Sequence, residues 1–259
     1  MLDAAGDPEG AGAVRQKANQ YNKELKGFCQ QNGLKYRTDR VRTYGAVEPK
    51  KVLDISGGSG IMDIGRSDIL QQAKTRDTKI AITDVAISKA NPPTIPHFSQ
   101  QQNQKFKELH HELLTKSMNE NDSNEVAFLF NLTTLKHEFE LGGTRSVNIF
   151  KNPFALDMLH RSGDRELYLL HNHPTTKIFS YSDIGVLLLY DNIGGITVVS
   201  NAGKVNVIYK TEAFDYKKAY SSLKQIRSEY QNKVLNEDED AEVVKRFLKV
   251  CGNCGIKFM

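Results

Sequence analysis

The stretch from Glu166 to Pro174, Glu-Leu-Tyr-Leu-Leu-His-Asn-His-Pro, restricts the fold of this chain more than any other. Glu166 to Leu170 reads as a buried strand. Pro174 has no amide hydrogen to give a ladder, so the strand must stop there, directly after a His-x-His triplet. Side chains alternate along a strand, so His171 and His173 point to the same side and both imidazoles can reach one ion. The chain then turns back through the six residues 174–179. Ser180 is suited to N-cap the helix that follows, and Asp183 falls at the acidic position of a capping box.

A plainer reading exists for each part. An isolated His-x-His is usually polar decoration on a strand, and Asp183 could serve only as a cap. The coincidence of strand end, His pair, Pro, short loop, Ser and first-turn Asp points further. Two imidazoles and one carboxylate leave a fourth tetrahedral position for water, as a catalytic zinc site requires.

The segment His171-Asn172-His173-Pro174, loop, Ser180-Tyr181-Ser182-Asp183 resembles the motif of the JAMM (MPN or JAB) zinc metalloproteases. Its His-Asn-His-Pro form is closer to bacterial, RadC-like and phage-associated branches than to eukaryotic deubiquitinases. The loop is one residue shorter than the commonest version, and Phe179 stands where Pro often precedes the Ser. The resemblance covers about residues 105–235. It implies an α/β fold of the JAMM/MPN-like, cytidine-deaminase-like kind: a mixed sheet with helices packed on its faces. It implies that His171, His173 and Asp183 bind Zn2+ and that Ser180 helps stabilise an oxyanion. It also calls for a Glu on an early strand. Glu125 is the choice for general base, ahead of Glu138, Glu140 and Glu166. Glu166 is weakest because it sits on the ligand strand, five residues upstream of His171. The implied reaction is hydrolysis of a peptide or isopeptide bond in a protein substrate, of which a ubiquitin-like one is an example. Zinc would lower the pKa of a water to ~7, and Glu125 would carry its proton to the leaving amine. Phe179 and Tyr181 would wall the cleft.

Around this segment the pattern alternates. Residues 105–118 have apolar positions at helical spacing. Strands are expected at 125–132, 135–141, 146–150, 196–200 and 204–209, and helices at 154–160, 180–193 and 213–235. Earlier, 1–12 reads as a disordered tail, 13–31 as a helix, and 34–104 as broken structure with short strand-like runs at 52–55 and 79–82. The expected organisation is therefore an N-terminal helix and extended arm (1–104), a metallohydrolase domain (105–235), and an acidic linker with a Cys-x-x-Cys tail (236–259).

Other features narrow the function. Lys plus Arg is 35 against 31 for Asp plus Glu, a net +4, which is too small by itself to argue for nucleic acid, a partner not expected here. The basic strip Lys35, Arg37, Arg40, Arg42 is the one place a DNA-associated, RadC-like role would show, as salt-sensitive binding. The adjacent letters His-Asn-His do not make an HNH nuclease, whose residues are dispersed over a ββα element. His110-His111 lacks zincin spacing, and Ser56 to Gly60 lacks the Gly-Lys-Ser/Thr of a P-loop. Three cysteines do not make a disulfide framework, and Cys251 and Cys254 form half of a zinc knuckle without a visible partner. No signal peptide or spanning run is recognisable, so a cytoplasmic protein is expected. The first ~60 residues loosely resemble terminal segments of phage minor capsid proteins. A catalytically silent MPN-like assembly module of a prophage or mobile element, with phage structural proteins as partners, is thus the alternative to an enzyme.

Overall fold

The computed structural model describes residues 79–230 and 235–259. The tail at 1–12, the helix at 13–31, the strand-like run at 52–55, the Gly-rich turn and the basic strip lie outside these. Six strands form one sheet: β1 (Val126–Asn131), β2 (His137–Leu141), β3 (Leu167–His173), β4 (Ile193–Ser200), β5 (Val205–Lys210) and β6 (Ile256–Phe258), in the order β2-β1-β3-β4-β5-β6. Only β3 and β4 run parallel; the other pairs are antiparallel. The expected α/β architecture with a mixed sheet and helices on its faces is therefore present.

The helices are α1 (Asp84–Lys89), α2 (Gln100–Glu120), α3 (Pro153–Arg161), α4 (Tyr181–Leu189), α5 (Tyr216–Ser228) and α6 (Glu237–Val250). The central strands are covered on both sides, which is why they read as unbroken apolar runs rather than alternating ones. All six residues of β1 and all eight of β4 are buried. On one face Val126, Phe128, Phe130, Tyr168 and Leu170 pack against Phe106, Leu109, Leu113 and Leu114 of α2. On the other, Ala127, Leu129, Leu167, Leu169, Ile196 and Val198 meet apolar residues of α3 to α6. Gly195 is required by this packing. A Cβ there would stand 2.3 Å from the Tyr168 ring, so any side chain would displace that ring or the strand.

Several boundaries differ from expectation. The polar run Ser99 to Gln104 begins α2 rather than ending a linker. Ser99 caps the Gln102 amide and Gln102 returns the bond, a complete capping box. The segment before it packs on the sheet, with Ile82, Ala90, Ile95 and Phe98 buried. Residues 79–82 form no strand; Ile80 instead donates to the Pro174 carbonyl. The strand expected at 146–150 is an extended stretch ending in a 3-10 turn at Ile149–Lys151, capped by Asn148.

The helix expected to run to Ile193 stops at Leu189, because Ile193 already pairs with β3. The one expected over 213–235 is α5 alone. The acidic stretch expected as a linker is α6, whose Val243, Val244 and Phe247 are fully buried. Four acidic residues in its first turn complement the helix dipole, which explains a charge run inside a folded element. Cys251 and Cys254 are buried free thiols preceding β6, which closes the sheet on β5. Among the described residues no helix is long and apolar enough to cross a membrane.

Candidate metal centre

β3 and β4 are joined through α4, a strand–helix–strand unit. Ligand sites in such sheets form outside the carboxyl ends of the parallel strands. His171 and His173 lie at that end of β3. α4 starts beside them, with Ser180 as N-cap and Asp183 at its third position.

The three side chains converge. His171 Nε2 lies 3.1 Å from His173 Nε2 and 3.3 Å from Asp183 Oδ1. One ligand atom from each of the three residues falls within 4.8 Å of the others. In a tetrahedral site with bonds of about 2.0–2.1 Å, two ligand atoms stand about 3.3 Å apart. The two shorter separations match that edge. The donor set of two imidazoles and one carboxylate thus fits a divalent metal that accepts nitrogen and oxygen. The arrangement is largely enclosed, with His171 only 4% exposed.

Asp183 caps α4 and also faces the imidazoles. Its Oδ2 accepts hydrogen bonds from the Ser180 amide at 2.7 Å and the Ser180 hydroxyl at 2.8 Å. Its amide in turn donates to Ser180 Oγ. Oδ1 is the oxygen that meets His171. The capping box therefore clamps Oδ2, which also lies 3.8 Å from His173 Nε2, and leaves Oδ1 facing His171. Ser180 acts in this arrangement by orienting a ligand.

The rings are set differently. His173 Nδ1 pairs with the Lys177 carbonyl at 3.2 Å, which places its proton there and leaves Nε2 as the ligand nitrogen. His171 Nδ1 is buried with no partner among the described residues, so that ring is oriented from its Nε2 side, by Asp183 and the His173 ring. Burial opposes charge on His171, but the Asp183 carboxylate outweighs it and raises the ring's pKa. Burial and the adjacent His171 hold His173 down at about 4. Burial would favour a neutral Asp183, yet His171 outweighs it and keeps the carboxyl well below the usual range.

Glu125 precedes β1. Ala127 pairs with His171, and continuing the antiparallel register by two residues sets Glu125 opposite His173, on the same face as both rings. Its backbone is held by Gly142 and Gly143, while its carboxyl is buried and pushed up to about 8 by that burial; His171 opposes the rise and Asp183 adds to it. The competitors lie elsewhere. Glu166 is at the opposite end of β3, bound to Gly163 and Thr133. Glu138 and Glu140 are on β2, one strand further out than Glu125.

Sequence reasoning passed over Asn172. It points to the other face of β3 and is completely buried. Its Oδ1 accepts from the Val126 amide at 2.7 Å, and its Nδ2 donates to Ser117 Oγ, the Asn124 carbonyl and Asn201 Oδ1. It ties the His-bearing strand end to the residue beside Glu125. The signal was available, since a polar side chain alternating with two inward histidines on a central strand must find partners.

No family model, no curated relative and no solved structure matches the chain.

Proposed function

We propose that the chain is a zinc-dependent metallopeptidase of the JAMM type that hydrolyses a peptide or isopeptide bond in a protein or peptide substrate. The observation that carries this reading is the convergence of His171 Nε2, His173 Nε2 and the Asp183 carboxylate, with a buried carboxyl, Glu125, on the same face of the neighbouring strand. His171, His173 and Asp183 would hold the metal. Zinc bound there would act as a Lewis acid and make a water easier to deprotonate.

The remaining work belongs to the protein. Among the described residues Glu125 is the one buried carboxyl facing the rings that is not already committed to a helix cap. Burial raises its pKa from the ordinary carboxylate range, which suits a group that accepts a proton and returns it. In peptide hydrolysis the water proton passes to Glu125 and then to the leaving amine as the C–N bond breaks. The Ser180 hydroxyl, which now donates to Asp183, lies at the same site and would turn to the substrate oxyanion. Burial of His171 keeps bulk water away and strengthens each of these interactions.

The test is metal stoichiometry combined with cleavage of a diverse peptide and isopeptide set. One zinc per chain is expected, lost in His171→Ala and Asp183→Ala. Glu125→Gln is expected to keep zinc and abolish cleavage. Purified protein that takes up no zinc under any condition would refute the reading.

A further inference from the structure

The first turn of α6 touches the metal centre's supports at two points. Asp240 sits with both carboxylate oxygens 3.2 Å from the Tyr181 amide, the first amide of α4. That amide has no partner within its own helix, and here another helix supplies the acceptor. One turn earlier, Glu237 forms a 2.6 Å ion pair with Lys177. Lys177 is also the residue whose carbonyl fixes the His173 ring. Residues 237 and 240 are three apart and share one side of α6.

The consequence is geometric. The loop 174–180 links the His-bearing strand to the Asp-bearing helix, and it has two features on which the ligands depend. One is the Lys177 carbonyl that orients His173; the other is the start of α4 that carries Asp183. α6 holds both, Lys177 through its side chain and Tyr181 through its backbone. The body of α6 is anchored independently, by Val243, Val244 and Phe247 in the core. A rigid helix end thus braces the short loop from outside.

We infer that Asp240 and Glu237 are positioning residues for the metal centre, and that α6 belongs to its outer support. This rests on the metal-centre reading above. Groups that orient ligands from outside the coordination sphere typically change metal affinity by ~10–100-fold when removed.

Zinc affinity, measured by chelator competition, and the visible spectrum of the cobalt-substituted protein provide the test. Asp240→Ala is expected to weaken zinc at least ~10-fold and to reduce the intensity of the cobalt bands. Asp240→Asn keeps an oxygen for the Tyr181 amide and is expected to restore both. Should Asp240→Ala fail to fold, Lys177→Met cuts the brace at its half-exposed end. The expected weakening there is ~3-fold, the scale of a surface ion pair. A merely structural role for Asp240 would lower the melting temperature and leave the cobalt spectrum of the folded protein unchanged. Unchanged zinc affinity and spectrum in Asp240→Ala, or in Lys177→Met if that is the variant read, would overturn the inference while leaving the metal centre intact. Absence of metal uptake by the unsubstituted chain would overturn the underlying reading as well.

Discussion

Replacing Glu125 with Gln should make the metal-free protein more stable at neutral pH while removing its proposed chemistry. The folded carboxyl has a pKa of about 8 against an ordinary value of 4.5, because burial penalises its charge. A carboxyl with a raised folded pKa binds more protons in the native state than in the unfolded state. Stability therefore falls as pH rises from the unfolded value to the folded one, and then levels off. With 1.36 kcal/mol per pKa unit, this burial costs about 1 kcal/mol at pH 5, about 3 kcal/mol at pH 7 and about 5 kcal/mol at pH 9. Gln has nearly the shape of the protonated acid and no titration, so it escapes this cost at every pH. The assay is urea unfolding followed by circular dichroism at those three pH values, on wild type and Glu125→Gln, both held in chelator. The gap between the two should open by about 2 kcal/mol between pH 5 and pH 7. Curves that stay parallel across the range would mean the carboxyl is ionised in the folded state at ordinary pH. Its assignment as the buried proton carrier would then fail.

Adding zinc to the chelated protein should raise its melting temperature, by an amount equivalent to about 2.7 kcal/mol at a free zinc concentration one hundred times the dissociation constant. The same addition to His171→Ala should leave it unchanged. Asn172→Ala should cost about 3–5 kcal/mol, since the Val126 amide and the Asn201 side chain lose a buried partner together; denaturant midpoints would register it, and a loss under 1 kcal/mol would deny Asn172 its central place. His110 Nδ1 donates to the Phe106 carbonyl and its Nε2 accepts from the Thr197 hydroxyl, and burial of the ring holds its pKa down at about 4. Its folded pKa is depressed, so the stability tied to its neutral form is present above pH 6.5 and lost as pH falls toward 4. The loss should reach about 3 kcal/mol and be absent in a well-folded His110→Gln.

The β3–loop–α4 segment was the most legible part of the chain, because each constraint on it was local. Pro174 fixed where the strand ended, strand alternation put two rings on one side, and Ser180 with Asp183 specified a cap. The central strands were also visible as apolar runs. What the sequence obscured were elements whose role depends on distant partners. Glu237 to Asp240 resembles a solvated acidic stretch until Val243, Val244 and Phe247 of the same helix are seen buried in the core beside α4 and α5. Ser99 to Gln104 resembles a polar linker, although the Ser99–Gln102 pair is a capping signal that could have been recognised. Ser146 to Phe150 has strand-like residues, but Asn148 caps a 3-10 turn at Ile149–Lys151, so the stretch extends only briefly and turns. Glu125 could be ranked above its competitors by order along the chain, whereas its burial depends on the sheet closing around it.

The divided labour of the Asp183 carboxylate has a consequence for how the site would empty and refill. One oxygen stays tied to the Ser180 amide of its own helix cap even when the hydroxyl turns to a substrate, so losing an ion would free chiefly the other. The helix start would keep its shape, and the cup would wait already formed. Loading would then need no refolding and could follow the supply of ion closely, at the speed with which it sheds its water shell.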